Sequence, residues 1–184
     1  MRIIAGKCKG RRLSAVKGME TRPTADRVKE AVFSVIGSRV VEARILDVFA
    51  GTGSIALEAL SRGAGYALLF EKSGDAAKII AKNISDCGFE ENSKLLRGDS
   101  LKNLSLLKDE KFEIIYIDPP YQSDLLPKAL KLVAEKGLLA QEGLLITETQ
   151  KNISLPDKAG NILLKRETSY GDTKIGYYCY PNRE

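Results

Sequence analysis

The segment Asp118-Pro119-Pro120-Tyr121 carries the clearest chemical signal in the sequence. It directly follows an apolar run typical of a buried strand, and two prolines end that strand and hold the chain rigidly. A carboxylate and a free prolyl carbonyl can accept hydrogen bonds from an amino group, while an aromatic ring can stack on a planar base. We therefore predict an amine clamp in which Asp118, Pro119 and Tyr121 are catalytic and Pro120 and Tyr121 contact the substrate. The simpler alternative is a polar turn with a tyrosine in the core.

A glycine turn follows an earlier predicted strand. Asp47 is the one charged residue in that strand, and the turn Ala50-Gly51-Thr52-Gly53 leads into a helix near Ser54. A charge inside a buried strand needs a partner, and the first N–H groups of a helix point at whatever lies before it. The loop therefore predicts a nucleotide-like ligand, although Ala56 stands where a Gly-x-Gly-x-x-Gly motif has its last glycine. A tight turn beside a hydrogen-bonded aspartate is the alternative.

Two further acids end the next two predicted strands. Glu71 is placed to accept both ribose hydroxyls of an adenosine cofactor, and Asp99 to accept from an adenine amino group. Taken singly, Glu71 also fits a loop charge, and Asp99 also fits the cap of a helix beginning near Leu101. The predicted cofactor-binding residues are Asp47, Phe49, Ala50, Gly51, Thr52, Gly53, Glu71, Lys72, Asp99, Ser100 and Asp118.

The elements that must position these residues alternate between strands and helices. Apolar runs predict strands at 45–49, 66–70, 94–96, 112–117 and 144–149, and the intervening segments predict helices at 54–62, 73–85 and 124–136. This pattern indicates an α/β fold with a doubly wound, mostly parallel sheet. Two last strands, 161–168 and 174–180, lie too close for a helix between them and must form a hairpin. Ligands bind at the carboxyl ends of parallel strands, so the four signals are expected to converge.

The positive charge of the chain is concentrated at its N-terminus. Residues 1–39 hold ten Lys or Arg and three acids, a net charge of +7, which leaves −2 for the remainder of a chain of charge +5. We call residues 1–39 the basic segment and predict a short hairpin from 2–5 and 11–16, then a helix capped by Thr24 and ended by Gly37. The predicted boundary separates this extension from a second domain at 40–184. Such a segment is typical of a nucleic-acid partner, with a solvated charged face as the alternative.

Composition excludes several classes of function. The 184 residues contain no His, which removes Ser-His-Asp systems and His-ligated zinc. The three cysteines show no spacing typical of a disulfide framework or a metal site, and no apolar run approaches the length of a membrane span. We therefore expect a cytoplasmic protein without a metal or a membrane partner.

The motifs together resemble those of a known family. The loop from Asp47 to Gly53, Glu71, Asp99 and the amine clamp look like those of class I S-adenosylmethionine-dependent methyltransferases that act on exocyclic amines. Three further runs closely resemble the bacterial small-subunit rRNA guanine-N2 methyltransferase family (RsmD-like): Arg2–Gly6 with Gly10–Leu13, Thr21–Phe33, and Leu57–Ala64. The departures are small, namely Lys9 where the family often has Arg, and Ser54-Ile55 in a variable part of the loop.

The resemblance implies a fold, a reaction and a substrate. It implies a seven-stranded sheet of order 3-2-1-4-5-7-6, with S-adenosylmethionine as cofactor and S-adenosylhomocysteine as product. The methyl group would go to N2 of one guanine, at position 966 of 16S rRNA, in a partly assembled small subunit, and the enzyme would be a monomer. Asp118 would orient the amine, and whether it takes the proton is left open. The implied RNA contacts in the basic segment are Arg2, Lys7, Lys9, Arg11, Arg12, Arg22, Thr24 and Arg27.

Other readings compete with this one. Arg22 and Thr24 fit the mouth of the active site, but equally a surface phosphate contact and a simple helix cap. The clamp would also serve a methyltransferase for adenine N6 or a glutamine side chain, although DNA enzymes usually carry a recognition domain for which the chain has no room. A dinucleotide-dependent oxidoreductase would leave the clamp without a role. A non-catalytic RNA-binding assembly factor would not need the cofactor loop.

Overall fold

The computed structural model describes residues 1–15, 23–120 and 124–181, with the backbone alone at 23–25. A short 3-10 helix at Gly37–Val40 follows the first α-helix. The helices are α1 (Pro23–Ile36), α2 (Ser54–Ser61), α3 (Gly74–Cys87), α4 (Ser100–Leu106) and α5 (Leu125–Glu135). The strands are β1 (Arg44–Asp47), β2 (Tyr66–Glu71), β3 (Ser93–Arg97), β4 (Phe112–Ile117), β5 (Leu139–Gln150), β6 (Lys158–Ala159), β7 (Ile162–Tyr170) and β8 (Thr173–Cys179).

The strands form one sheet in the order β3-β2-β1-β4-β5-β8-β7-β6. Neighbours among β1 to β5 are parallel, whereas β8 is antiparallel to both β5 and β7. The predicted fold class is thus confirmed, and its strand order holds if β7 and β8 are taken as the sixth and seventh strands. The sheet has one strand more than predicted, because the two-residue β6 is too short to leave a periodic signal.

Helices cover both faces of the sheet. One apolar core joins Ile45 and Ile114 of the sheet to Val32 and Phe33 of α1, and it also contains Ile3 from the N-terminus. The opposite core packs α5 onto the other face of the sheet through the buried side chains Leu126, Ala129, Leu130 and Val133. The basic segment therefore shares a core with the sheet, and the predicted domain boundary near residue 40 stays a prediction. No helix in the described part of the chain is long and apolar enough to cross a membrane.

The predicted N-terminal hairpin is wrong in its extent. Residues 1–15, which we call the arm, contain a single antiparallel bridge between Arg2 and Arg12 instead of two strands. The reason is that the backbone N–H groups of Ile4 and Ala5 donate to the carboxylate of Glu58 on α2, over 2.7 and 3.0 Å. Hydrogen bonds of Ile3 and Met1 with residues 10–13 still join the two halves of the arm. This short ladder ends after Ile3, because the N–H of Ala5, which would continue it, donates to Glu58 instead.

A buried ionic cluster fixes the arm to α2. Glu58 is fully buried, lies 3.4 Å from the ammonium of Lys29 and accepts from Arg62 over 2.7 Å. Burial lowers the pKa of Lys29, which donates to the carbonyl of Arg2 over 2.6 Å and to the hydroxyl of Ser54 over 3.1 Å. Lys29 thus connects α1, the arm and the first residue of α2.

Gly6 is where the arm comes closest to α2. Its φ of +83° is favoured by glycine, and a Cβ at this position would lie 1.7 Å from the carbonyl oxygen of Ser61. The neighbouring N–H groups of Lys7 and Cys8 donate to the carbonyl and the hydroxyl of Ser61. Glycine is therefore required there by both conformation and contact.

Candidate active site

Four of the predicted site residues converge at one edge of the sheet. Asp47 and Glu71 are the last residues of β1 and β2, while Asp99 and Asp118 follow the ends of β3 and β4. These four strands are adjacent and parallel, so their carboxyl ends lie side by side. The sequence pattern predicted this convergence.

Asp47 is a carboxylate held inside the sheet. Its side chain is 2 % exposed, and the backbone N–H groups of Phe49 and Ala56 donate hydrogen bonds to it. The pKa of Asp47 is raised to about 7, because burial and the nearby charge of Glu71 raise it by more than the two backbone hydrogen bonds lower it. The predicted need for a partner is therefore met by backbone donors.

The glycine turn is bent by two left-handed residues. Gly51 has a φ of +57°, and Gly53, the N-cap of α2, has a φ of +75°. A Cβ on Gly53 would lie 3.3 Å from Leu69 of β2, so the turn packs directly against the neighbouring strand. Gly53 has no side chain to cap α2, and Asp47 accepts instead from the N–H of Ala56, the third residue of this helix. Ala50 is buried, while Phe49 and Thr52 are half-buried.

Glu71 connects the second strand to this turn. One carboxylate oxygen accepts from the N–H of Gly51 over 2.9 Å, and the other accepts from the N–H of Ser73 over 2.7 Å. Glu71 is thus a positioned acceptor beside the glycine turn and not a free loop charge. One of its two hydrogen bonds therefore comes from the N-cap of α3, because Ser73 is the residue that caps that helix.

Asp99 has a structural partner of its own. Its carboxylate accepts from the N–H of Lys102 over 3.1 Å and caps α4, so the helix-cap alternative is confirmed. The exposed Lys72 lies 3.8 Å from its other oxygen. Ser100, the first residue of α4, is buried. Asp99 therefore stands at the predicted edge with one oxygen engaged by the backbone.

Asp118 ends the fourth strand next to two other acids. Burial raises the pKa of Asp118 well above its ordinary value, and the charges of Glu148 and Asp47 raise it further. Pro119 is buried and Pro120 is exposed. Tyr121, Arg22 and the side chain of Thr24 lie outside the described residues, so their predicted contacts stay predictions. The predicted N-cap is wrong, because α1 already begins at Pro23 and Thr24 lies inside it.

Sequence reasoning missed Glu148 and Tyr116. The hydroxyl of the buried Tyr116 donates a hydrogen bond to Glu148 on β5. Burial raises the pKa of Glu148, as it does that of Tyr116. The signal that identifies Asp47, a charge within an apolar strand, was also present in Leu144–Thr149.

The arm lies beside the glycine turn. The sulfur of Met1 is 3.8 Å from the hydroxyl of Thr52, and the side chain of Asn83 donates to the carbonyls of both Ser14 and Thr52 over 3.0 Å. Arg2 also approaches Asp26 of α1, at 3.9 Å. The predicted RNA contacts whose side chains are described, all exposed, are Arg2, Lys7, Lys9, Arg11, Arg12 and Arg27.

Two other features bear on ligands. Within residues 1–15, 23–120 and 124–181, no group of three or more His, Cys, Asp or Glu is arranged to hold a metal ion. A cavity of about 590 Å³ lies between α5 and the β6–β7 turn, where Leu130, Gly160 and Tyr180 are among its lining residues. None of the predicted site residues lines that cavity, so it is separate from the candidate site.

Comparisons with known proteins cover almost the whole chain. The family model described as "Conserved hypothetical protein 95" matches residues 1–179. "Ribosomal RNA small subunit methyltransferase D" of Escherichia coli is 33% identical over 180 residues, which cover 98% of this chain and 89% of that protein. The Haemophilus influenzae protein of the same name is also 33% identical, and the match covers 99% of this chain and 94% of that protein. The solved structure of the Escherichia coli protein yhhF has a TM-score of 0.88 at 32% identity and covers 100% of this chain and 99% of its own.

Proposed function

The chain belongs to the family described as conserved hypothetical protein 95, and from this membership we propose that it is an S-adenosylmethionine-dependent methyltransferase of small-subunit ribosomal RNA. The observation that carries the proposal is the convergence of the glycine turn, Glu71 and Asp118 at one edge of the sheet. A cofactor turn beside an amine acceptor is what methyl transfer to an exocyclic amine requires. The names of the relatives support the same reaction.

The residues at this edge fit the cofactor. The left-handed turn at Gly51 and Gly53 lets the backbone approach a ligand closely, and the N-terminus of α2, which follows this turn, favours a negatively polarised group. Glu71 is positioned to accept from ribose hydroxyls, and the second oxygen of Asp99 to accept from the adenine amine. When bound, S-adenosylmethionine supplies a methyl group that is already electrophilic. This explains why a chain without His can catalyse the reaction.

The contribution of the protein is to position the amine. The lone pair of a guanine amino group is delocalised into the ring, so the amine is a poor nucleophile. Asp118 and the carbonyl of Pro119 accept from the two amino N–H groups, draw electron density onto the nitrogen and direct its lone pair along the reaction axis. The raised pKa of Asp118 suits it to hold the proton that the amine releases. Tyr121 stacks on the splayed-out base.

The acceptor is N2 of one guanine, guanine 966 of 16S rRNA, within a partly assembled small subunit, and the enzyme acts as a monomer. Support for an RNA acceptor comes from the exposed cations of the arm, whose two ends, at Met1 and Ser14, lie beside the glycine turn. Support for guanine comes from the resemblance of the arm and α1 to the RsmD-like enzymes.

Nucleoside analysis of rRNA tests the proposal directly. A strain that lacks this protein should lose one N2-methylguanosine from 16S rRNA, and a plasmid copy should restore it. A copy carrying Asp118→Ala should fail to restore it, although the protein accumulates. An unchanged set of methylated nucleosides would overturn the proposal, and loss of N6-methyladenosine would move the function to adenine.

A further inference from the structure

The carboxyl ends of β4 and β5 carry two acids side by side. In the parallel register of these strands, Tyr116 pairs with Ile146 and Ile117 with Thr147, so the next pair is Asp118 and Glu148. Side chains alternate along a strand, which puts Tyr116, Asp118 and Glu148 on the same face. After burial, the negative charge of Glu148 is the strongest influence that raises the pKa of Asp118. The two carboxylates therefore form one acidic site.

Among the residues that the structure describes, this acidic site has few hydrogen-bond donors. Tyr116 donates to Oε2 of Glu148, whereas no described residue donates to the carboxylate of Asp118. No lysine or arginine in the described part of the chain forms an ion pair with either acid. Both carboxylates are half-buried, and a ligand that covers such an acceptor without giving it a donor loses about 1–3 kcal/mol for each group. The site is complementary to a ligand that brings its own N–H groups.

The position of Glu148 in the sheet points to the acceptor and not to the cofactor. The glycine turn, Glu71 and Asp99 follow β1, β2 and β3, which all lie on one side of β4. Glu148 lies on β5, on the opposite side of β4. A base held by Asp118 therefore has Glu148 on the side away from the cofactor residues.

The donors that these two acids lack are those of a guanine edge. In guanine, the ring N1–H lies next to the 2-amino group, so two neighbouring carboxylates can accept from both. In adenine, the ring nitrogen next to the amino group is an acceptor, whose lone pair would face a carboxylate. Only a base with a donor beside the reacting amine satisfies both acids when both are ionised.

We propose that Glu148 is a specificity-determining residue whose carboxylate accepts from the ring N1–H of guanine while Asp118 accepts from the 2-amino group. Tyr116 is a positioning residue that holds the other oxygen of Glu148. This inference rests on the proposed function and deepens it, because it names the residue that separates guanine from other bases with an exocyclic amine.

A base analogue separates the N1–H from the reacting group. 2-Aminopurine keeps the 2-amino group but has an acceptor at N1. Small subunits reconstituted on ligated 16S rRNA, with guanine or 2-aminopurine at position 966, are incubated with the protein and labelled S-adenosylmethionine. The wild-type protein should methylate guanine at least about 10-fold faster, because the analogue leaves a buried carboxylate unpaired. Equal rates on both subunits would overturn the inference.

The ratio of the two rates is then compared between variants. Glu148→Gln should bring the ratio to within about 3-fold, because an amide can donate to the ring nitrogen of the analogue. Tyr116→Phe, which frees Glu148 from its partner, should lower the ratio less. Glu142→Gln is the matched control, since Glu142 is an exposed glutamate on the same strand. A Glu148→Gln variant that keeps the wild-type ratio would assign Glu148 a purely structural role and overturn the proposal.

Failure of the proposed function gives a different result. If the wild-type protein methylates neither subunit while it binds S-adenosylmethionine, the acceptor assignment is wrong. If it methylates guanine and discriminates against the analogue equally well with and without Glu148, only the specificity role is wrong. The wild-type comparison needs no variant, so it holds even if a substitution at Glu148 prevents folding.

Discussion

Asp118 follows β4 and Glu71 ends β2, and the two acids have different partners. Removing Asp118 should therefore affect methyl transfer, whereas removing Glu71 should affect cofactor binding. Asp118 faces other acids, whereas Glu71 accepts from the backbone of the glycine turn. We expect Asp118→Ala to bind S-adenosylmethionine with near-normal affinity in calorimetry and to lose at least about 100-fold in kcat for methyl transfer. Near-normal turnover would exclude a role for Asp118 in orienting the amine.

Glu71→Ala should lower the affinity for the cofactor before it lowers the rate of methyl transfer. The substitution removes two charge-assisted hydrogen bonds that hold the turn and Ser73, together with the acceptor proposed for ribose. Each such bond contributes about 1.5–3 kcal/mol, so cofactor affinity should fall roughly 10- to 100-fold. Calorimetric titration measures this, with the exposed Glu91→Ala as control. An unchanged affinity would refute the ribose assignment.

Asp47 should make stability depend on pH. Its pKa is raised by burial from 3.8 to about 7, so the folded state holds a proton that the unfolded state releases between these values. Stability is therefore lost as pH rises, by about 4 kcal/mol in total and about 3 kcal/mol between pH 4.5 and 8.

Asp47→Asn removes the titration and should flatten that dependence. Urea unfolding of the cofactor-free protein at pH 4.5 and pH 8 measures this. Between these pH values, the free energy of unfolding of the wild type should fall by about 3 kcal/mol more than that of the variant. The exposed Asp172→Asn should gain nothing. A difference below about 1 kcal/mol would mean that the native site stabilises the ionised carboxylate.

The sequence identified single residues where a charge broke an apolar pattern, and it missed those whose importance comes from a neighbour. Asp47 stood out in its strand, whereas Glu148, within the predicted strand 144–149, was not singled out. Its relation to Asp118 depends on the register of β4 and β5, which pairs residues about 30 positions apart. Periodicity along one segment carries no information about that register.

At the scale of elements, the arm is held by one buried acid. Glu58 accepts from two backbone N–H groups of the arm and contacts Lys29 and Arg62. Removing one partner of a buried ion pair costs about 3–5 kcal/mol, because the other charge stays buried. We expect Glu58→Ala to lower the free energy of unfolding by that amount in urea titrations. Glu30→Ala, at an exposed position of α1, should change it by less than about 0.5 kcal/mol.

The contacts of Glu58 explain why the elements from α1 onward were predicted well and the arm was not. The apolar spacing of α1 and the caps of α3 and α4 are local signals, and the structure has these helices close to the predicted positions. The arm looked like a hairpin because basic and apolar residues alternate around two glycines. Its actual partners on α2 lie more than 50 residues away in the sequence.

At the scale of the whole molecule, the basic segment and the strands that carry the candidate site share one apolar core. The basic segment contributes side chains to the core of the sheet, and the two ends of its arm lie next to the glycine turn, while Lys7 lies beside Ser61 at the other end of α2. A rigidly attached arm can fix the distance between phosphate contacts and the reacting base, which a flexible tail cannot. Phosphate contacts position a nucleic acid without reading its sequence, so base selection is left to the acids at the end of β4 and β5.

Salt dependence measures the contribution of the arm to RNA binding. Lys7, Lys9, Arg11 and Arg12 are exposed, and each cation that neutralises a phosphate adds about 0.7–0.9 to the slope of log affinity against log salt. Replacing all four with Gln should therefore reduce that slope by about 3 on a 16S rRNA transcript, measured by filter binding between 50 and 200 mM KCl. The matched control replaces Lys128, Lys131, Lys136 and Lys158, which are exposed on α5 and near β6. It changes the net charge equally, so a general electrostatic effect would lower both slopes alike and contradict the assignment, whereas local phosphate contacts lower the slope of the arm variant alone.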